Sequence, residues 1–336
     1  MQTPDRLSNK SEKRWVTVQS DLAGADGRRK DIQLEIMEDG MPRAMAFFDI
    51  DGTLAHLSLI HGRTIVKIFP DADPKELEET FYRGFKLGNS FREFDRMKGI
   101  YADGHSEWKD PETYLKERFA SHSREIDEPG NPAHDIAAAI LKAYGEAAAE
   151  VADDIYKQAP EKFENSNIAP IFLLARLYSR LGIPIVGFTA NARVLVERLA
   201  KYLKLSDIFI DIATDETMAG GGKEIAVMSL MKKIAEKGIA VPKDRLVFVG
   251  DSLRGDIGIY LKLKAIDPRI DGQGILVLEN KADLIDIKRQ ISEKPELRRI
   301  ADSIGVHALV VKDVPLDEKG KPMLVSRYRG EFLEKL

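Results

Sequence analysis

Four short stretches of the chain carry residues whose types and spacing suit acid–base and nucleophilic chemistry. The first is Asp49-Ile50-Asp51-Gly52-Thr53, two carboxylates two residues apart at the end of an apolar run that starts at Ala44. If the backbone stays extended, both carboxylates face one crevice, and Gly52 permits a tight turn after them. The bland reading is an acidic turn, since Asp-Gly is a common turn pair. The second stretch is Thr189-Ala190-Asn191, after Ile185-Val186-Gly187-Phe188. It reads either as a helix N-cap or as a phosphate seat built from a hydroxyl and the free amides of a helix start. The third, Gly220-Gly221-Gly222-Lys223, is either a flexible loop with a surface lysine or a loop that carries an ammonium into a crevice. The fourth is Gly250-Asp251-Ser252-Leu253-Arg254-Gly255-Asp256, after a second apolar run, Leu246 to Val249. It again ends a strand in acidic groups, or else it is a capped strand-to-helix turn.

Placing these residues requires strands that end where they begin. Apolar runs predict strands over 44–50, 183–188, 208–212, 246–249, 274–278 and 306–311, with helices over 192–203 and 223–237 between them. Strand and helix in alternation predict a parallel sheet covered by helices on both faces, and such sheets collect ligands at the carboxyl ends of their strands. Residues 65–164 have another texture: charged, spotted with aromatics and helical in pattern. Asp-Pro start signals stand at Asp73 and Asp110, and an alanine-rich stretch runs from His134 to Lys157. Ahead of the first strand, Trp15–Gln19 and Asp31–Ile36 alternate around a turn-like Ala23–Gly27 and predict a hairpin. Residues 1–14 read as a disordered leader.

Composition narrows the classes. The 336 residues correspond to about two domains, or one with a large insertion. With 51 basic and 55 acidic residues, nothing supports nucleic-acid binding through bulk positive charge. The absence of cysteine excludes disulfides, a catalytic thiol and thiolate metal ligation. The polar N-terminus does not read as a secretory signal. The most apolar long stretch, 168–188, is interrupted by Arg176 and Arg180 and does not reach the roughly 20 apolar residues of a membrane span. The expectation is a cytoplasmic protein with neither a membrane nor a nucleic-acid partner. The six histidines show no metal-ligand spacing; His56 and His61 either line a site entrance or are satisfied structurally.

Taken together and in this order, Asp49-Ile50-Asp51-Gly52-Thr53, Thr189, Lys223 and Gly250-Asp251-Ser252 with Asp256 resemble the four motifs of the haloacid dehalogenase-like hydrolase superfamily. The four fixed letters of the first motif alone would arise by chance in about 1% or less of chains this long. The resemblance implies an α/β fold: a Rossmann-like parallel sheet core over 41–60 and 165–336, and a mainly helical cap over 61–164. An extension with the hairpin would occupy 1–40. It implies that Asp49 is a nucleophile forming an aspartyl-phosphate, and that Asp51 is the acid that protonates the leaving oxygen and then the base for water. Thr189, with the Ala190 amide, and Lys223 would hold the phosphate. Asp49, Asp251, the backbone carbonyl of Asp51 and an auxiliary Asp256 would hold Mg²⁺, an all-oxygen set that suits this ion.

Dehalogenases lack an equivalent of Asp51, which argues for phosphate chemistry. The function implied is therefore a Mg²⁺-dependent phosphatase acting on a small phosphorylated metabolite. A phosphomutase of the same family is the nearest alternative. A non-catalytic binding protein on this scaffold is the rival of a different class, and its signature would be a lost motif residue. Arg83, Arg92 and Lys98 of the cap either contact substrate or snorkel from an amphipathic core. Neither the oligomeric state nor the substrate is legible.

Overall fold

The computed structural model of the chain describes residues 14–68, 132–166, 168–214, 217, 222–314 and 333–336. The helices expected from Asp73 and Asp110, the cap residues Arg83, Arg92 and Lys98, residues 1–13 of the leader, and Gly220 and Gly221 lie outside them.

A seven-stranded sheet forms the centre. In chain order its strands are β3 (Met45–Asp49), β4 (Ile185–Phe188), β5 (Ile212–Ala213), β6 (Leu246–Gly250), β7 (Gly272–Leu278), β8 (Val306–Val310) and β9 (Leu333–Lys335). Across the sheet they run β5-β4-β3-β6-β7-β8-β9. All neighbours are parallel except β9, which pairs antiparallel with β8. A separate antiparallel hairpin, β1 (Arg14–Ala23) and β2 (Arg29–Ile36), precedes the sheet, as the alternation predicts.

Burial on both faces explains why these strands read as continuous apolar runs. Successive side chains of β3 enter opposite layers: Ala46 and Phe48 join one core, Met45 and Phe47 the other. The first layer is completed by α2 (Pro132–Gln158), α4 (Ala169–Arg180) and α5 (Arg193–Tyr202), through Ala148, Ala152, Ile171, Ala175, Leu195 and Leu199. The second is completed by α6 (Lys223–Glu236), α7 (Ile259–Ile266), α8 (Lys281–Glu293) and α9 (Pro295–Ile304), with Val18, Ile32 and Leu34 of the hairpin. Phe47 and Phe248 stack across β3 and β6, their centroids 5.3 Å apart. This is the α/β core with helices on both faces that the sequence predicts.

Two further helices are α1 (Ser58–Ile68) and α3 (Glu161–Ser166). α1 leaves the first motif and α2 returns toward the core. The two are clipped together by Lys67 and Glu150.

The run 208–212 departs from expectation. Leu205–Asp207 forms a 3₁₀ turn behind Lys204, whose backbone is left-handed at φ 56°, and the ladder of β5 holds only Ile212 and Ala213. The carbonyls of Phe209 and Ile210 are taken instead by the hairpin: Ser20 Oγ donates to Phe209 O at 2.7 Å and the Asp21 amide to Ile210 O at 2.7 Å. Periodicity cannot tell a buried apolar run of this kind from a strand.

The chain order reverses at β3. The path steps from β3 to β4 and β5 on one side, then returns to β6, β7 and β8 on the other. The crevice at the carboxyl ends of β3 and β6 is therefore the switch point at which such sheets bind ligands.

Candidate active site

Register sets the first contacts. Asp49 ends β3 opposite Phe188, the last residue of β4, and Phe48 pairs with Val249 of β6. Thr189 and Asp251, the residues after those two neighbouring strands, thus lie on either side of Asp49. The remaining groups arrive from turns and helix starts.

Asp49 is 4% exposed, and both of its oxygens have partners. Lys223 Nζ stands 2.9 Å from Oδ1, and Thr53 Oγ1 donates to Oδ2 at 3.3 Å. Lys223 also reaches Asp256 Oδ1 at 2.6 Å and lies 5.1 Å from the centroid of the Phe188 ring. It is the first residue of α6, where the helix dipole opposes a cation, so the two carboxylates account for its place. Burial works against the ammonium, but Asp49 and Asp256 outweigh it and hold its pKa above the ordinary lysine value.

Asp256 is fully buried and engaged at both oxygens, since its Oδ2 accepts the Ser252 amide at 2.9 Å. It stands in a π-helical turn, Leu253–Ile257, capped by Ser252 Oγ, which accepts the Gly255 amide. Carboxylate oxygens of Asp49, Asp251 and Asp256 fall within 4.8 Å of one another. Gly52 makes room for this cluster: its φ is +77°, and a Cβ there would collide with the Asp251 carboxylate. A Cβ on Gly250 would likewise strike the Asp256 side chain.

Electrostatics fit a cation at this cluster. Burial pushes Asp49 up to about 7, with Lys223 opposing and Asp256 and Asp51 adding to the rise. Asp251 is also pushed well up, first by burial and then by Asp256, Asp49 and Asp51. Crowded carboxylates with one ammonium among them leave surplus negative charge. A hard divalent cation with oxygen ligands relieves that surplus, so the donor set fits Mg²⁺.

Asp51 has its own surroundings. Its Oδ1 accepts the Leu57 amide at 3.3 Å, and its Oδ2 lies 3.2 Å from Nε2 of the fully buried His61 on α1. Thr189, 1% exposed, accepts both the Asn191 amide at 3.2 Å and the Asn191 side-chain amide at 2.9 Å. With its lone pairs engaged, the hydroxyl is left as a donor, and Ala190 beside it is exposed.

The structure thus brings Asp49, Asp251, Asp256 and Lys223 into one cluster. It sets Asp51 against α1, and Thr189 at the end of the strand next to Asp49. Three further polar residues near these elements carry little signal in the sequence. Thr53 belongs to the first motif, but its bond to Asp49 shows only in space. His61 is interior rather than at the entrance; its signal is the i, i+4 spacing from the buried Leu57, which puts it on the inner face of α1, whereas His56 is exposed. Asp211 is marked in the sequence only as a charge inside the apolar run Ile208–Ala213.

A family model described as haloacid dehalogenase-like hydrolase matches residues 44–259. Among solved structures, the chain is similar to CbbY from Rhodobacter sphaeroides in complex with phosphate: 20% identity, covering 69% of this chain and 86% of that one, TM-score 0.37. It is similar to the HAD-hydrolase YfnB from Bacillus subtilis bound to magnesium at 15% identity, covering 69% of this chain and 89% of that one, TM-score 0.38. It is similar to a hydrolase from Pseudomonas syringae at 16% identity, covering 80% of this chain and 94% of that one, TM-score 0.39. No curated protein matches the chain in sequence. Among the described residues, no helix is long and apolar enough to cross a membrane.

Proposed function

The chain belongs to the haloacid dehalogenase-like hydrolase family, whose model spans almost two thirds of it, and on that premise we propose that it is a Mg²⁺-dependent phosphatase acting on a small phosphomonoester. The observation that carries the reading is the pair of aspartates on β3 and just beyond it. Asp49 sits buried in a cluster with Lys223, Asp251 and Asp256, while Asp51, two residues on, is held apart by Leu57 and His61. Two carboxylates in unlike settings suit two roles.

In this reading an oxygen of Asp49 attacks the phosphorus, and the bond from phosphorus to the ester oxygen breaks. Asp51 gives its proton to the departing alkoxide. Water then attacks the aspartyl-phosphate, Asp51 takes a proton from it, and phosphate leaves with Asp49 restored. Lys223 orients Asp49 and faces the transferring phosphoryl group, and Thr189 with the Ala190 amide holds its oxygens. Asp49, Asp251 and the Asp51 carbonyl would hold Mg²⁺. Asp256 acts chiefly by fixing Lys223 and the turn after β6. Bound there, Mg²⁺ supplies positive charge against the phosphoryl oxygens. The insert over 61–164 is read as a cap that closes over the crevice and sets substrate choice.

The test is phosphate release from a panel of phosphorylated metabolites, with Mg²⁺ or with EDTA and with Asp49→Asn alongside. Release that needs the metal and is lost in the variant is the expected result. Release that persists in EDTA or in Asp49→Asn would overturn the reading.

A further inference from the structure

Asp211 is a buried charge that the steps above leave unused. It stands at the entry to β5 and is 1% exposed. A lone carboxylate at that depth is strongly disfavoured, and this one has two cationic partners. Arg193 Nη1 lies 3.3 Å from Oδ1 and also donates to the Ile212 carbonyl at 3.1 Å. Lys233 Nζ lies 2.7 Å from Oδ2. The Ile212 amide donates to Oδ1 at 2.9 Å, and the Gly187 amide of β4 donates to the Asp211 carbonyl at 2.9 Å.

These partners sit on helices that begin at, or a few residues after, the residues assigned to the phosphate. Arg193 is the first residue of α5, four residues after Thr189. The helix dipole disfavours a cation there, and two carboxylates offset it: Asp211 at Nη1 and, on the same helix, Glu197, whose Oε1 lies 3.3 Å from Nε. Lys233 lies on α6, the helix that starts with Lys223. One carboxylate therefore ties both helices to the β4–β5 edge. Asp49 and Asp251 are placed differently, by β3 and β6.

We propose that Asp211, held between Arg193 and Lys233, is a positioning residue that sets the separation of Thr189 from Lys223 and so the fit of a phosphate between them. This rests on the phosphatase reading of the site. It separates two properties that a general loss of structure would lower together: phosphate affinity depends on Asp211, and cation affinity does not.

The experiment is calorimetric titration of the full chain, first with Mg²⁺ and then with inorganic phosphate in saturating Mg²⁺. The variants are Asp211→Asn, Arg193→Gln and Lys233→Gln. The expected result is a phosphate Kd raised about tenfold in Asp211→Asn and Arg193→Gln and about threefold in Lys233→Gln, with Mg²⁺ Kd within twofold of wild type. Arg193→Lys restores part of the loss. The two substitutions at half-exposed positions keep the test open if Asp211→Asn does not fold. Phosphate affinity at the wild-type level in folded variants, even with lowered thermal stability, would overturn the positioning role alone. Failure of the wild-type chain to bind phosphate would overturn the phosphatase reading along with it.

Discussion

The two halves of the crevice are built by different means. On the acidic half, Asp49 and Asp251 are set by main chain: each ends or follows a fully buried parallel strand, and Gly52 lets the turn close against Asp251. On the half proposed to hold phosphate, here the phosphate half, Thr189 and Lys223 depend on helix starts that are fastened by side chains, through Asn191, Asp256 and Asp211. The first arrangement is stiff and tolerates no added atom. The second is a set of ion pairs and hydrogen bonds that can be loosened one at a time. Damage to the acidic half is therefore expected to abolish chemistry or metal binding, and damage to the phosphate half to weaken substrate binding by degrees.

The largest effect is expected at the paired aspartates. Asp49→Asn removes the proposed nucleophile and is expected to leave no measurable turnover. Asp51→Asn lowers turnover by about 10²–10⁴. With p-nitrophenyl phosphate, whose leaving group needs little help from an acid, Asp51→Asn is expected to accumulate phosphoenzyme in a rapid-quench experiment. Equal loss of both steps would contradict the division of roles.

Next is Gly52→Ala. It forces a side chain into left-handed backbone and against Asp251. Mg²⁺ affinity is expected to fall at least about tenfold, measured by calorimetry. An unchanged metal constant would show that the acidic half yields more than its packing implies.

The pH dependence comes third. In the metal-free protein Asp49 keeps its proton up to about pH 7, whereas an unfolded aspartate loses it near pH 4. The folded state then binds more protons than the unfolded state between those values, so stability falls as pH rises from about 4 to 7. The melting temperature of the metal-free protein is expected to drop across that window, and Mg²⁺ is expected to restore it above pH 7. Below pH 7 the cation must displace the proton, so its affinity falls as pH falls. A melting temperature that rises through the window would reverse the sign of this argument.

The smallest effect is expected at the hairpin, which lies outside the matched residues 44–259. Ser20→Ala loses the bond to the Phe209 carbonyl, at about 1 kcal/mol of stability. Its kcat/KM is expected to stay at the wild-type value, because the hairpin braces the outside of the phosphate half without reaching the crevice groups.

The same contrast decides what could be read in the sequence. The acidic half was legible because main chain places it: an apolar strand ending in Asp-x-Asp-Gly shows in a single line of letters. Lys223 and Asp256 were legible by resemblance, but their mutual contact was not, since 33 residues separate them. Asp211 was hidden because its partners, Arg193 and Lys233, lie 18 and 22 residues away on two helices, and no local pattern marks such a tie. His61 was visible only as a polar residue on an inner helical face, and its neighbour Asp51 had to be found in space. The short β5 differs from the expected strand for a related reason: the hairpin, distant in sequence, takes the carbonyls that a longer strand would have offered.

The central claim is that Asp49 becomes covalently phosphorylated. The direct measurement is a single-turnover reaction of the full chain with a phosphoryl donor such as p-nitrophenyl phosphate, quenched in acid and mapped by mass spectrometry of peptides. The account predicts a phosphoryl group on the peptide that contains Asp49, removed by hydroxylamine and missing in Asp49→Asn. Phosphate released at the wild-type rate with no phosphorylated peptide, or with the label on another residue, would contradict it.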